Sequence, residues 1–481
     1  MSAAVSVLPN GAALYAAGGQ ATVCAPEAAA AWAMQARQAG HRVWAQEATQ
    51  TEGSLGLPVG TLSDTAVLVH SLNQQPLAPH DAGQLAYALD GLASRATPGQ
   101  ASSALIDADT DLVWRVRSAI GIRVATEDAE QLRARLDSDR RSARRRLNVD
   151  PSGNRAGTQR WVQRLGVVPR EDDGTPALDK RGLPKIGKEY RENASVPPSA
   201  RELWEAFDTA RRAASGLGKL DEVLGATSAD GRVHPSFHAV GADTGRMSVS
   251  GPAIQNMPRE GGVRGILRAD EGHLLVTADL KEVEPRLAAI LSGDERMKAM
   301  LASGRSPYIE TAEIIWPGEE VTPERRAIAK TSLLATIYSQ QPTGLAPRLG
   351  VTVERAAEIQ QALRTRYPKL AEWSLGVRHS RGSLTSHFGR SILAPAKGPH
   401  ARVNYVVQGS AADLFKRMAL EVARQLGVAS LWLPAHDELA AMVPEADAEQ
   451  AAETLRKCMA VEIEGVAIFP SAPTTTDRWT K

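Results

Sequence analysis

Cysteines, long apolar runs and net charge are all scarce in this sequence. Only 2 of its 481 residues are cysteine, which argues against a disulfide framework or a cysteine zinc site and fits a reducing cytoplasm. No apolar run reaches the roughly 20 residues that a transmembrane helix needs, and the first residues lack the basic start of a signal peptide. The net charge is only +1, so an affinity for nucleic acid requires a local concentration of basic residues.

The composition changes along the chain and indicates more than one region. Residues 1–105 are poor in acids, and an alanine-rich helical pattern at Glu27–Gly40 and a short apolar run at Ala66–His70 predict a small α/β region. Residues 151–200 are rich in Gly, Pro, Asp and Lys, which predicts loops or a mobile subdomain. From Arg201 onward, dense helical patterns alternate with short strand-like runs.

A long charged helix is predicted at Ala129–Leu147. Five arginines follow Asp139 within this stretch. They can form a solvated helix face or a surface that contacts phosphates, and the residue pattern leaves both alternatives open.

Two acidic residues stand at the ends of apolar, strand-like runs. Asp279 ends the run His273–Asp279, and Pro285 after it suits only the first turn of a helix. Taken alone, Asp279 also fits a helix N-cap. Asp437 lies inside the apolar stretch Leu431–Val443, which suits a strand or hairpin. Two such carboxylates would repel each other unless a hard divalent cation such as Mg²⁺ joined them, so a metal site is plausible but not specific.

The stretch Pro323–Gln341 predicts a helix with a graded face. Arg326, Lys330, Leu334 and Tyr338 are four residues apart and share one side of the helix. A triphosphate could lie on the cationic end and a base on the Leu/Tyr end. The alternative is an amphipathic surface helix whose Arg and Lys stems cover apolar neighbours.

These three stretches, together with two more, resemble the sequence motifs of family A DNA polymerases of the bacterial DNA polymerase I type. The first motif reads approximately DYSQIELR in that family, and here it is DLKEVEPR. The second reads approximately RxxxKxxxFxxxYG, and the third is HDE. The five matching stretches occur in family order: Asp230–Arg259 (TGRMSVSGPAIQNMPR at its end), Asp279–Arg286, Arg326–Ser339, Val403–Val422 (with QGSAAD) and His436–Glu438.

The resemblance implies an α+β fold of the right-hand polymerase type, with an antiparallel palm sheet, helical fingers and a helical thumb, preceded by the small N-terminal α/β region. The polymerase region would span residues 106–481. Within it, residues of about 106–250 would be mainly thumb, about 250–300 and 416–481 mainly palm, and about 301–415 mainly fingers.

The resemblance also implies a DNA-templated DNA polymerase that adds dNTPs to a primer 3′-hydroxyl. Asp279 and Asp437 match ligands of two Mg²⁺ ions, for which Mn²⁺ could substitute, and Glu438 matches a supporting catalytic acid. Among the dNTP-binding positions, Glu284 matches the steric gate against a ribose 2′-hydroxyl. The other dNTP-binding matches are Arg326, Lys330, Leu334, Tyr338 and Tyr308, and the matches that hold primer-template DNA are Arg246, Gln255, Asn404, Gln408 and His436.

Several positions depart from the family pattern. Leu334 replaces an aromatic residue, Ser339 replaces a glycine, and Tyr308 stands where many members have a phosphate-contacting histidine. None of these departures removes a metal ligand, so we expect a divergent but active enzyme rather than an inactive relative. Leu280, Pro285 and Pro434 are also unusual for the pattern.

The N-terminal region has two interpretations. His41–Gly53 faintly resembles the first motif of a 3′–5′ proofreading exonuclease, but Gln46 stands near the first expected acid and only Glu47 lies beside it. We therefore expect a degenerate, inactive exonuclease remnant or an unrelated module, and no proofreading.

The expected partners follow from the same resemblance. They are primer-template DNA and dNTPs, with no membrane, for a monomer in the cytoplasm of a bacterium or a phage-infected host, where accessory replication proteins could assist. Two alternatives remain, a single-subunit RNA polymerase relative and a non-catalytic DNA-binding protein. Glu284 and the QGSAAD stretch argue against the first.

Overall fold

In a computed structural model, the protein consists of a small N-terminal sheet, long helices and an antiparallel central sheet. Only Val67 of the predicted apolar run Ala66–His70 is described, so that prediction lies outside the described residues. The structure describes residues 3–7, 13–17, 20–39, 41–55, 57–59, 61–64, 67, 96–147, 155–169, 176–187, 194–396 and 398–480.

The N-terminal sheet has five strands in the order third, second, first, fourth, fifth. The first three strands are antiparallel, and the fourth and fifth continue parallel to the first. The predicted alanine-rich helix covers this sheet and buries Ala29 and Ala33, whose small side chains let helix and sheet approach closely. The strands are Ala3–Val7, Ala13–Ala17, Gln20–Cys24, Val43–Ala45 and Ser63–Asp64, and the helices are Pro26–Gln38 and Ala48–Leu55.

A continuous helix, Pro98–Ile120, leads out of the N-terminal region. Thr97 and Gln100 form a capping box at its start, and Pro98 occupies the first turn, where its missing N–H costs nothing. The boundary predicted at residue 105 therefore falls inside a single helix, and the division into domains stays a prediction.

Two long antiparallel helices follow, the predicted charged helix Thr126–Leu147 and its partner Arg201–Gly225. A β-carbon on Gly216 would lie 2.9 Å from Leu136 Cδ1, so glycine at this position allows the two helices to touch. For residues 151–200 the prediction was loops or a mobile subdomain, and the loop alternative was wrong for Arg155–Arg164, which is a helix. Its Trp161 stacks on Phe207 of the partner helix with ring centroids 5.4 Å apart. This apolar contact with a residue far away in the chain outweighs the polar composition of the segment.

The central sheet has four antiparallel strands, and it confirms the predicted strand His273–Asp279. In the main hydrophobic core it packs against several helices, and Trp432 and Trp479 are fully buried there. The strands in spatial order are Leu431–Ala435, Glu438–Pro444, His273–Asp279 and Thr474–Thr476, and the helices around them are Val283–Ser292, Arg402–Leu426 and Ala448–Cys458.

A helical region lies between residues 295 and 379. It contains the predicted graded helix, which we call the cleft helix and which runs from Pro323 to Ile337. No helix in the described part of the chain is both long and apolar enough to cross a membrane. The other helices of this region are Glu295–Ala302, Pro307–Ile315, Pro342–Leu349, Val353–Arg366 and Pro368–His379.

Short elements complete the described fold. The small strands pair as Ile122–Val124 with both Leu267–Arg268 and Arg232–Val233, Ser236–His238 with Ser248–Ser250, Leu384–Thr385 with Ser391–Ile392, and Val461–Ile463 with Val466–Ile468. Single 3₁₀ turns occur at Pro198–Ala200, Ile254–Asn256, Val263–Ile266, Pro399–Ala401, Val428–Ser430 and Glu445–Asp447.

Candidate active site

Three predicted acids meet at one end of the central sheet. Asp279 ends its strand and lies directly opposite Glu438 in the antiparallel register. Asp437 occupies the turn before Glu438, and its carbonyl accepts a hydrogen bond from the Leu280 N–H at 3.0 Å. Strand pairing thus brings together residues that are far apart in the chain.

The turn that carries Asp437 is unusually tight. Ala435 pairs with Glu438, so only His436 and Asp437 connect the two strands. His436 has φ of +62°, a left-handed conformation that histidine adopts more readily than most residues but still at some cost. Pro434 also suits its place, because its strand is the outer strand of the described sheet, and edge strands tolerate a residue without an N–H.

The three acids have different surroundings. Asp279 is exposed, Asp437 is half-buried and Glu438 is buried. Burial raises the pKa of the Asp437 carboxyl, against the opposing influence of the Arg246 guanidinium. Glu438 accepts a hydrogen bond from the indole Nε1–H of Trp479 at 2.9 Å.

Trp479 is a site residue that sequence reasoning missed. The Arg264 guanidinium carbon lies 4.1 Å from the centroid of its ring, so the tryptophan is held between a cation and an acid. Trp479 belongs to no periodic pattern or motif in the sequence, and only the folded sheet brings it beneath Glu438.

Arg246 lies between two acids at the floor of the site. Its Nη2 is 3.8 Å from Glu284 Oε1 and 3.8 Å from Asp437 Oδ1. Its neighbour Gly245 has φ of +85°, and a β-carbon there would lie 2.7 Å from Arg390 Nε. The glycine of the TGR string is therefore required both by its backbone conformation and by close packing.

The cleft helix forms the opposite wall. Arg326 and Lys330 are exposed, whereas Leu334 and Tyr338 are half-buried, so the graded face expected from the sequence is present. The buried ring of Tyr308 lies beneath both cations, with its centroid 5.3 Å from the Arg326 guanidinium carbon and 5.7 Å from Lys330 Nζ.

The end of the cleft helix explains one departure from the family pattern. The helix ends at Ile337, and Ser339 has φ of +52°, which is the conformation that a glycine at this position adopts without strain. The Arg378 guanidinium donates to the Ser339 carbonyl, which helps to hold the turn. Burial and the neighbouring Glu284 carboxylate raise the pKa of Tyr338.

An open cleft of about 650 Å³ separates the acidic and cationic walls. Asp279, Asp437 and Glu284 line one side, together with His436. Tyr308, Arg326 and Lys330 line the other side, and Arg259 and Lys281, which sequence reasoning did not single out, add further positive charge.

Some of the predicted DNA-binding residues lie beside the cleft rather than in it. Arg246 and Gln255 line an adjoining cavity of about 40 Å³, where the Gln255 amide donates to the Pro434 carbonyl, and His436 lines both this cavity and the cleft. Asn404 and Gln408 lie one turn apart on the helix Arg402–Leu426, half-buried and outside the lining of either cavity.

Comparison with known proteins identifies the family. Residues 187–473 match the model of DNA polymerase family A. The chain is 30% identical to DNA polymerase I of Aquifex aeolicus over 358 residues, which cover 67% of this chain and 61% of that protein. It is also 30% identical to DNA polymerase I of Chloroflexus aurantiacus over 318 residues, 62% of this chain and 33% of that protein. The chain thus spans between a third and three fifths of these two relatives.

The fold agrees with this match. The POL domain of Pol1 from M. smegmatis, solved in complex with DNA primer-template and dNTP, superposes with a TM-score of 0.76 at 21% sequence identity, covering 100% of this chain and 95% of that one. This confirms the predicted α+β right-hand polymerase architecture. On the sequence match over more than half of its length, the chain belongs to DNA polymerase family A.

Proposed function

We propose that this chain is a DNA-templated DNA polymerase that adds dNTPs to a primer 3′-hydroxyl in replication or repair. One observation carries the proposal above the others. Two aspartates, Asp279 at the end of a strand and Asp437 in the neighbouring turn, face two exposed cations, Arg326 and Lys330, across an open cleft. Such a cleft suits a substrate with a reacting phosphate at one wall and a charged leaving group at the other.

The residues of the cationic wall would hold the triphosphate. In the reaction the primer 3′ oxygen loses its proton and bonds to the α-phosphorus, the bond from that phosphorus to the bridging oxygen breaks, and pyrophosphate leaves. Arg326 and Lys330 would offset the charge on the β- and γ-phosphates throughout this exchange. Tyr308 supports both cations from below, in the position where many relatives carry a histidine.

Asp279 and Asp437 fit a pair of hard divalent cations, Mg²⁺ or Mn²⁺. Both offer carboxylate oxygens, the donors that Mg²⁺ prefers, and the raised pKa of Asp437 reflects a desolvated carboxyl whose charge Arg246 only partly offsets. The chemistry that two such ions supply when bound is activation of the attacking oxygen and stabilisation of the leaving group. Glu438, held by Trp479, would support the pair from beneath.

The remaining residues of the site would select and align the substrates. Glu284 is half-buried on the floor of the cleft, where its carboxylate would meet a ribose 2′-hydroxyl and so favour dNTPs. Tyr338, beside Glu284, would face the base of the nascent pair, with Leu334 packing against the incoming sugar. Arg246, Gln255, Asn404, Gln408 and His436 would hold the primer-template near its 3′ end, largely independently of base sequence.

We also propose that the N-terminal region supplies no proofreading. Its Glu52 carboxylate is fully buried and accepts hydrogen bonds from the Leu62 N–H at 2.7 Å and from Arg115 Nη1 at 2.8 Å. Asp64 accepts a hydrogen bond from the Ala48 N–H at 2.9 Å. These acids serve the packing of the N-terminal sheet against the helix Pro98–Ile120, which leaves them poorly suited to hold catalytic cations.

Primer extension with Mg²⁺, using dNTPs and NTPs in parallel, tests the proposed function. Extension with dNTPs is the expected result. Preferential use of NTPs would instead support an RNA polymerase, and normal DNA binding without any extension would support a non-catalytic DNA-binding protein. A labelled single strand should keep its 3′ end, whereas shortening that is lost in a Glu47→Ala or Glu52→Ala variant would contradict the absence of proofreading.

A further inference from the structure

One position of the first motif adds a charge to the cleft. The family pattern DYSQIELR has glutamine at its fourth place, and this chain has Glu282 there. Glu282 lines the cleft, and its φ of +52° is an unfavourable left-handed conformation for a long side chain. Such a conformation persists only where surrounding contacts impose it.

The contacts of Glu282 hold one side of the carboxylate firmly. Arg286, itself buried, donates from Nη2 to Glu282 Oε2 at 3.3 Å. The Ser306 hydroxyl donates to Oε1. The side chain of Glu282 is only 13% exposed as a result. Its negative charge is therefore a stationary feature of the cleft.

The other side of the carboxylate faces Arg326 on the cationic wall. Glu282 Oε1 lies 3.6 Å from Arg326 Nη2, whose side chain is 48% exposed. The pair thus joins a fixed anion to a cation that is free to reorient towards solvent or a ligand. Tyr308, the other group near Arg326, is not a competing anion, because burial, reinforced by the Glu282 and Glu284 carboxylates, raises its pKa and keeps it neutral.

We propose that Glu282 is a resident anion for Arg326, occupying this arginine until the triphosphate of an incoming nucleotide displaces it. The inference rests on the proposed function and deepens it, because it identifies a residue that sets nucleotide affinity. The competition involves only phosphates, so it should weaken the binding of all four dNTPs alike. The same carboxylate would re-engage Arg326 when pyrophosphate leaves.

Glu282→Gln separates charge from shape. Glutamine keeps one oxygen, which can accept from Arg286, and its amide N–H can donate to the Ser306 hydroxyl oxygen, but it removes the negative charge. We expect the dissociation constant of dATP, measured on protein bound to a dideoxy-terminated primer opposite template thymine, to fall about two- to fivefold, the range for a half-exposed charge pair. Inorganic tripolyphosphate, which lacks base and sugar, should show the same gain when it competes with dATP.

A matched control uses Arg325, the neighbour of Arg326 on the cleft helix. Arg325 pairs with Glu319 outside the cleft lining, so Glu319→Gln removes an equivalent charge from the neighbouring arginine and should leave dATP binding unchanged. In an Arg326→Gln background, Glu282→Gln should bring no gain, because the arginine for which the anion competes is absent.

The outcomes distinguish this inference from the proposed function. If Glu282→Gln binds dATP and tripolyphosphate no more tightly than the parent while the parent extends primers, the resident-anion role is wrong and the polymerase function stands. If the parent extends no primer yet Glu282→Gln binds tripolyphosphate more tightly, the anion role stands and the polymerase function is wrong. A gain that persists without Arg326 would also overturn the role.

Discussion

Two groups of charged side chains in this molecule differ in how their charges are balanced. The first group, which we call the buried cluster, consists of Asp107, Arg390, Asp413 and Lys416, all at most 2% exposed. The second lines the cleft. Each group combines acids and cations, but the first is complete within the protein, whereas the second is arranged so that a ligand can complete it.

Direct hydrogen bonds satisfy the buried cluster. Asp107 accepts two bonds from the Arg390 guanidinium, each 2.7 Å long, and a further bond from Lys416 Nζ. Arg390 Nε donates to Asp413 at 2.7 Å, and the Ser386 hydroxyl donates to the same carboxylate at 2.7 Å. Two acids and two cations balance, which is the condition for keeping charges inside a protein.

The charges in the cleft and directly beside it are spaced more widely. Arg246 lies 3.8 Å from both Glu284 and Asp437, and Arg326 lies 3.6 Å from Glu282. These distances exceed that of a hydrogen bond. A ligand can therefore take over such a cation without breaking a short bond.

Two partly or fully buried aspartates show the difference most clearly. Burial is the largest single influence on both and acts to raise the pKa. At Asp107 the charges of Lys416 and Arg390 outweigh it and the pKa is lowered, whereas at Asp437 burial prevails over Arg246 and the pKa is raised. A satisfied charge thus supports the fold, and an incompletely satisfied one is available for chemistry.

The largest expected effect separates activity from stability in the cleft. Asp279→Ala should lower primer extension by about 10³-fold or more, because Asp279 is a proposed metal ligand and its loss would remove several kcal/mol of transition-state stabilisation. The melting temperature and the affinity for primer-template should change little, because Asp279 is exposed. Extension assays, thermal melting and DNA-binding titrations check this, and a variant that extends normally would contradict the metal-ligand assignment.

The same substitution in the buried cluster should do the reverse. Asp107→Ala leaves Arg390 and Lys416 buried without their shared partner, so we expect the free energy of unfolding to fall by about 3–5 kcal/mol. Denaturant titration measures this. Asp109→Ala, on the same helix but 41% exposed, is the matched control and should cost about 1 kcal/mol or less. Equal losses for the two variants would refute the contrast.

A smaller effect tests how the cleft selects its ligand. Glu284→Ala should raise the use of NTPs relative to dNTPs by at least about tenfold, a discrimination of the size that one well-placed polar contact supplies. Competition between one NTP and its dNTP on the same primer measures the ratio. Unchanged sugar selectivity would remove the steric-gate assignment, while a large loss of stability would show that Glu284 belongs with the buried cluster.

The smallest effect is a pH dependence of stability. The pKa of Asp107 is lowered from its ordinary value of 3.8, so its contribution is fully present above pH 3.8 and is lost as the pH falls through the lower folded-state value. Thermal unfolding of the parent and Asp107→Asn between pH 5 and pH 2 should therefore differ most at pH 5 and converge in acid. A difference that stays constant with pH would contradict the assignment.

Local sequence signals predicted much of this molecule. The strand His273–Asp279, the charged helix predicted at Ala129–Leu147, which runs from Thr126 to Leu147, and the start of the cleft helix at Pro323 were all confirmed. Capping residues, proline positions and apolar periodicity predict such elements because they act within a few residues. The helix Arg155–Arg164 was missed, because its stability depends on Trp161 stacking against a residue of a distant helix.

Sequence signals likewise predicted only part of the candidate site. Motif order alone indicated that Asp279 and Asp437 belong together, and the strand register and the turn bring them to one end of the central sheet. The contact of Trp479 with Glu438 and the approach of Glu282 to Arg326 carried no sequence signal, because each joins side chains from separate elements.

By itself, the sequence determined which residue types were available for chemistry and which segments formed helices and strands, since those choices depend on neighbours along the chain. Only the tertiary structure decided the fate of each charge. Asp107 and Lys416 are 309 positions apart, yet folding makes them hydrogen-bonded partners, while Arg246 stays 3.8 Å from Asp437. Burial and the nearest opposite charge set the pKa and the role of a carboxylate, and both are properties of the packed molecule.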